Sequence, residues 1–237
     1  MNIILFTADE IGRSLPFRDP RAEHLLKVLK LQPGDSFDLG LVNGPRGKGR
    51  ITSVESGTIT WHAEMETKIP EIFPLYLLMG AVRPPAARRI LKDAATLGLE
   101  KVWIFPTEKG EPSYIKSGVW EKDTVSRLFL EGAAQGFTSR LPELRLFENL
   151  RDALEALPDK TSGFALDNYE ALCPLAGVKS CPPVALAVGS ERGWSAAERD
   201  LLRASDFTLA SLGPRVLRSE TAVVAASAII LSQLGYW

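Results

Sequence analysis

The sequence predicts an α/β chain, with a largely parallel sheet covered by helices on both faces and, ahead of it, a small β-barrel carrying one helix. Three observations predict this. From about residue 72 onward, short apolar runs alternate with longer helical patterns, which is how strand–helix–strand units with parallel strands read. Residues 1 to about 68 are instead short runs broken by Gly, Pro and Asp, the texture of a small barrel. Between the two, 69–74 (IPEIFP) carries two prolines that restrict the backbone, a natural joint. The expected division is therefore 1–70 and 71–237.

In the first part, 22–31 places apolar residues at 22, 25, 26, 28, 29 and 31, one face of a helix. Asp19 is placed to cap it and Pro20 to fill its first position. Pro33, Gly34 and Asp35 make a turn, and strands are expected at 36–41, 49–54 and 58–65. In the second part the expected order is strand 75–82, helix 85–97 ended by Gly98, strand 101–105, helix 118–135, strand 143–147, helix 149–157 and strand 162–167. Strand 183–188, helix 196–204, strand 206–210 and helix 220–234 follow. Ser195 reads as an N-cap with Glu198 completing a capping box, and Ser219 as the cap of the final helix.

Composition narrows the function classes. The chain has 45% hydrophobic and 24% charged residues, which excludes wholesale disorder. Its net charge of -1 excludes a globally basic nucleic-acid binder but leaves room for a local basic face. Cys173 and Cys181, with His24 and His62 the only histidines, are too few for a zinc site, so no metal is expected. The longest apolar stretches, 75–82 and 222–231, fall short of the ~20 residues that span a bilayer. Residues 1–10 lack a basic leader and carry Asp9 and Glu10, so a cytoplasmic protein with free thiols and no membrane contact is the expectation.

Five features could carry chemistry. In 184–195 (VALAVGSERGWS) a buried strand runs into Gly189 and Gly193 and then a capped helix. Glycines at the carboxyl end of a parallel strand let a ligand approach the backbone, although neither a GxGxxG pattern nor a P-loop lysine is present. In 212–221 (LGPRVLRSET), Arg215, Arg218 and Glu220 cluster just before a helix, as either a site or a surface ion network. The last helix mixes Ala222, Ala225, Ala226, Ser227 and Ala228 with Val223, Val224, Ile229, Ile230 and Leu231, so most of its sides are expected to be covered. Basic residues gather at Arg83, Arg88, Arg89 and Lys92, at Arg46, Lys48 and Arg50, and around Arg13, Arg18, Arg21, Lys27 and Lys30, patterns that can grip phosphates or simply face solvent. Finally, Gln135 and Arg140 flank a helix-to-strand turn in 131–144.

Taken together, these motifs resemble the RsmE-type family of SPOUT methyltransferases, which methylate N3 of a uridine in small-subunit ribosomal RNA. LGPRVLRSETA at 212–222 resembles that family's C-terminal signature, VGSERGWSAAE at 188–198 its Gly-Pro-Glu-Gly-Gly loop, AAQGFTSRLPEL at 133–144 its Glu-Gln…Arg-x-Pro segment, and HLLKVLKLQPGD at 24–35 the opening of its PUA-like RNA-binding barrel. The resemblance implies a trefoil knot in the second domain, a homodimer through the last helix, and S-adenosylmethionine held by Leu186, Val188, Gly189, Glu191, Gly193, Leu212, Gly213, Val216 and Leu217. It further implies a catalytic set of Arg218, Arg215 and Glu220, and contacts to ribosomal RNA or the small subunit from Arg18, Arg21, Lys27, Arg46, Arg83 and Arg140. The chain departs from the family pattern at Asp93, Thr96, Lys109, Ala134, Thr138, Ser190 and Arg192. A non-catalytic homologue that binds the cofactor or RNA, and a small-molecule α/β enzyme using another nucleotide, are the alternatives.

Overall fold

The computed structural model describes residues 2–237. The chain forms two compact units. One runs up to Glu71 and also contains Ala133–Leu141; the other comprises Ile72–Gly132 and Pro142–Trp237. The joint expected at 70/71 falls between Glu71 and Ile72. The expectation that everything after it forms one domain is corrected by the excursion at Ala133–Leu141, which is bonded into the first unit. There Ile3 donates its amide to the Ala134 carbonyl at 3.2 Å and Asn43 to the Ser139 carbonyl at 2.7 Å, while the buried Ser139 hydroxyl donates to the Gly44 carbonyl at 2.5 Å.

The first unit holds β1 (Ile4–Phe6), β2 (Leu15–Pro16), α1 (Pro20–Glu23), β3 (Ser36–Leu41), β4 (Arg46–Glu55) and β5 (Thr58–Met65), with the sheet order β1-β3-β4-β5-β2. It is a half-barrel with β1 and β2 as its edges. β1 runs parallel to β3, and the remaining pairs are antiparallel. Alternate residues of β4 and β5 turn inward. They deliver Ile51, Ile59 and Trp61 to a core shared with Phe6, Leu25, Phe37 and Leu39. The tip of the Phe37 ring lies against Gly49, where a Cβ would stand 2.3 Å from it. Asp19 caps α1 through the Arg21 amide, as expected. The predicted continuous helix over 22–31 is corrected: after Glu23 the chain widens into a π-helical stretch, His24–Val28, and Lys30 reverses direction at φ 55°.

The second unit holds β6 (Phe73–Gly80), α2 (Pro84–Leu97), β7 (Leu99–Phe105), α3 (Lys122–Gln135, whose last turn crosses into the first unit), β8 (Glu143–Leu146), α4 (Leu150–Glu155), β9 (Ser162–Leu166), β10 (Cys173–Pro174), β11 (Val184–Val188), α5 (Ala196–Ala204), β12 (Phe207–Ser211) and α6 (Ser219–Gln233). The sheet order is β10-β12-β9-β11-β6-β7-β8, and every pairing is parallel. Every residue of β11, in the middle, is buried, as a strand covered on both faces must be. Gly98 ends α2 in the left-handed conformation (φ 76°). Ser219 does not cap α6. Arg218 occupies the N-cap without a side-chain bond, and Ser219 is the first helical residue. On α6, Ala222, Val223, Ala226, Ser227, Ile230 and Leu231 are buried, while Val224, Ala225, Ala228 and Ile229 on the other side are exposed or half-covered. Among the described residues, no helix is long and apolar enough to cross a membrane, and no group of three His, Cys, Asp or Glu is placed to hold a metal.

Candidate functional site

Because the strands are parallel, the carboxyl ends of β6, β9, β11 and β12 lie along one edge of the sheet. A ligand site in an open parallel sheet forms on that edge. A cavity of about 360 Å³ opens there, within the usual range of a small-molecule pocket. Its walls come from the turn after β9 (Leu166, Asp167, Asn168), the β11 turn (Val188, Gly189, Ser190, Glu191, Gly193), and the β12–α6 turn (Leu212, Arg215, Val216, Leu217, Arg218, Ser219, Glu220), with Ala210, Ala222 and Arg83. Thus Val188, Gly189, Glu191, Gly193, Leu212, Val216 and Leu217 meet in one place with Arg215, Arg218 and Glu220. Two of the expected cofactor residues are not on the wall. Leu186 is fully buried within β11, and Gly213 serves the turn itself at φ 101°. The turn after β9 is the part of the wall that sequence reasoning missed. The available signal was Asp167 at a strand end, followed by polar residues.

The turns are tied together from below. Gly193, at φ 68°, donates its amide to the Ser190 carbonyl at 2.8 Å. A Cβ on Gly189 would stand 3.2 Å from the Gly193 carbonyl carbon, so the two glycines permit the tight turn between them. Trp194, fully buried, donates its indole N–H to the Leu166 carbonyl at 2.9 Å, which fastens the β11 turn to the β9 turn. The expected capping box is present: Glu198 accepts from the Ser195 amide at 2.8 Å, and the Ser195 hydroxyl accepts from the Glu198 amide at 3.0 Å. The second Glu198 oxygen accepts from the Glu108 amide at 2.9 Å, which fixes the loop after β7 as well. Glu191 accepts from the Arg83 amide at 3.0 Å.

The electrostatics divide the wall. The Asp167 carboxylate accepts from the Tyr169 amide at 2.7 Å, the Glu170 amide at 2.6 Å and the Arg199 guanidinium at 2.7 Å. Burial raises its pKa, but the Glu170 amide, Arg199 and the Tyr169 amide together outweigh it and hold the carboxyl below the usual range. Glu170 bridges onward to Arg199 and Arg203. On the opposite side, Arg89 of α2 donates to Glu220 at 3.3 Å. Asp93 stands nearby with a raised pKa, since burial and the Glu220 charge prevail over Arg89 and Lys92. Arg215 and Arg218 are exposed and, among the described residues, paired with no carboxylate.

The basic residues expected to meet RNA are unequal. Arg21 is engaged by the fold: it donates to Glu10 at 2.6 Å and to Asp19 at 2.8 Å, and lies 4.7 Å over the Phe6 ring. Its hydrogen bonds pull Glu10 down to a pKa of about 2. It is therefore a structural residue and not a free cation. Lys27 pairs with Glu23 one helical turn earlier at 2.9 Å. Arg46 donates to the Phe137 carbonyl at 3.3 Å and stands 3.8 Å from Glu66. Arg18 is exposed, Arg140 is half-buried, and Arg83 belongs to the cavity wall.

Residues 70–231 match the model of the RNA methyltransferase domain. The chain belongs to that family. Its relatives include the ribosomal RNA small subunit methyltransferase E of Treponema pallidum, 35% identical and aligned over 100% of this chain and 93% of the relative. A ribosomal RNA small subunit methyltransferase E of Borreliella burgdorferi is 30% identical over 99% of each. Among solved structures, the ribosomal RNA small subunit methyltransferase E of Neisseria gonorrhoeae, bound to S-adenosyl methionine, superposes with a TM-score of 0.77 at 20% identity, over 97% of both chains. A Legionella pneumophila methyltransferase in complex with the same cofactor gives 0.79 at 20% identity over 98% of both. The seven-stranded parallel sheet is thus a family fold, shared across low sequence identity.

Proposed function

We propose that the protein is an S-adenosylmethionine-dependent methyltransferase acting on N3 of a uridine in small-subunit ribosomal RNA. The observation that carries this reading is the convergence of the 188–193 and 212–218 turns on one cavity, in a chain with full-length relatives named for methylation of that RNA. The cavity fits the cofactor by its chemistry. Leu166, Val188, Ala210 and Leu212 offer apolar wall to a nucleoside, Gly189 and Gly193 open backbone to it, and polar residues at the rim suit an amino-acid tail. When bound, the cofactor supplies a methyl group on a sulfonium. The protein's own residues do the rest. Arg218 and Arg215, paired with no carboxylate among the described residues, stabilise negative charge on the uracil oxygens. Of the wall carboxylates, Asp167 and Glu191 already accept backbone amides. Glu220, held among the described residues only by Arg89, is left to take the N3 proton. N3 lies on the pairing edge, so the uridine must enter unpaired or flipped.

Arg18, Lys27, Arg46 and Arg140 hold RNA backbone on the PUA-like first unit, and Arg83 meets the RNA at the mouth of the cavity. The half-covered face of α6 with Val224, Ala225, Ala228 and Ile229 makes the homodimer contact, and the loops around the cofactor form the knot of the family. The test is direct. Calorimetry with S-adenosylmethionine should give one site per chain, and mass spectrometry of ribosomal RNA nucleosides should show N3-methyluridine that disappears when the gene is deleted. Unchanged nucleosides in the deletion strain would refute the reading.

A further inference from the structure

Two neighbouring buried hydroxyls, one of them on the cavity wall, have nothing to bond among the described residues. Ser190 is 5% exposed and Thr107 8%, and among the described residues neither Ser190 Oγ nor Thr107 Oγ1 has a hydrogen-bond partner. A buried hydroxyl left unsatisfied is destabilising, so a neighbouring pair of them, one on a cavity wall, calls for a function. They are neighbours. The space that a Cβ on Gly110 would fill is bounded by Thr107 Oγ1 at 2.6 Å and the Ser190 Cβ at 3.6 Å, and the space at Gly80 by Thr107 Cγ2 at 2.6 Å and the Ser190 amide nitrogen at 2.8 Å. Any larger residue at Gly80 would push the β11 turn away from β6, and any at Gly110 would cover the Thr107 hydroxyl. Both loops are also held by backbone amides: the Thr107 loop through the Glu108 amide on Glu198, the Ser190 turn internally through the Gly193 amide on the Ser190 carbonyl. Ser190 stands on the cavity wall, and Thr107 is its neighbour.

We infer that Ser190 and Thr107 form a subsite that takes a neutral carbonyl oxygen of the substrate base, both hydroxyls donating to it. The chemistry selects this ligand. The charged groups of the expected catalytic set, Arg215, Arg218 and Glu220, come from the β12–α6 turn, while glycine backbone at 80, 110 and 189 borders the two hydroxyl residues. A carboxylate draws its strength from charged donors; a ring carbonyl, with two lone pairs and no charge, matches two neutral hydroxyls. In a pyrimidine whose N3 stands between two ring carbonyls, fixing one of them in place fixes the direction of N3.

The inference rests on the proposed function, and the test separates the two. Wild-type protein is first titrated with S-adenosylmethionine and assayed on a ribosomal RNA fragment; no binding and no transfer would sink the proposed function itself. With an active wild type, Ser190→Ala, Thr107→Val and the double variant are compared. The expected result is a cofactor Kd within twofold of wild type and kcat/KM for RNA lowered roughly 2- to 12-fold by each single change, the loss of one neutral hydrogen bond. The double variant should fall further, and the melting temperature should hold or rise, because the orphan hydroxyls are gone. A double variant within twofold of wild type in kcat/KM overturns the inference. So does a loss of cofactor affinity as large as the loss in kcat/KM, or a melting temperature lowered by several degrees, which would make the hydroxyls structural.

Discussion

Replacing Arg199 by Met tests how the cavity wall is held. Arg199 and Asp167 form an ion pair at 2.7 Å with side chains only 7% and 2% exposed. Removing one member of such a pair strands the other charge in a poorly solvated place and typically costs about 3–5 kcal/mol. Asp167 keeps its two amide donors, so the lower end, about 3 kcal/mol, is expected. In a chain of this size that lowers the melting temperature by roughly 6–12 °C. Asp167 also lines the cavity, so cofactor affinity should fall with it. The variant Asp167→Asn, alone and combined with Arg199→Met, completes a double-mutant cycle in which the combined loss is smaller than the sum, because the double variant leaves no unpaired charge. The pH dependence has a definite sign. A carboxyl held below its ordinary value of 3.8 contributes its full stability above that value and loses it as pH falls through the folded-state value. The gap between wild type and Arg199→Met should therefore narrow in strong acid. Thermal unfolding by circular dichroism at neutral and acid pH reads all of this. A neutral-pH difference under 1 kcal/mol, or strictly additive variants, would refute the reasoning.

Further expectations concern the rest of the chain. Arg218→Ala should abolish methylation while leaving cofactor affinity near wild type, checked by calorimetry beside a transfer assay; normal turnover would remove Arg218 from the chemistry. Glu10, with its pKa lowered from 4.5 to about 2, stabilises the first unit fully above 4.5 and loses that contribution as pH falls through about 2. Glu10→Gln should accordingly flatten the acid limb of that unit's stability curve, measured by amide exchange. Gly193→Ala places a Cβ in open space at φ 68°, so only backbone strain opposes it, about 1–2 kcal/mol, visible as a lowered denaturant midpoint. RNA affinity should decline as salt rises, with a log–log slope of about 0.7 per single-strand phosphate contact, and Arg18→Ala should make that slope shallower.

How far the sequence discloses the molecule varies by element. The β12–α6 turn is legible because Gly213, Pro214, two arginines and Ser-Glu before an apolar helix form a pattern that no ordinary turn needs. β11 is legible as an uninterrupted apolar run, and its capping box reads directly from Ser195 and Glu198. β1 and β2 have no counterpart among the expected strands, since three and two residues cannot display a period of two. Arg21 reads as one more basic residue near a helix because nothing local shows Glu10 folding back onto it. The turn after β9 is hidden for a similar reason: Asp167 reaches Arg199 only once β9 and α5 are packed.

The stretch from Ala133 to Leu141 has a consequence for how the protein is made. Its amides and carbonyls complete the first unit, yet they leave the ribosome some eighty residues after β4, the strand that begins beside the turn they bind. The amino-terminal half-barrel must therefore wait, one flank unfinished, until the middle of the chain has been synthesised. A fragment cut at the joint after Glu71 would be stranded in that incomplete form.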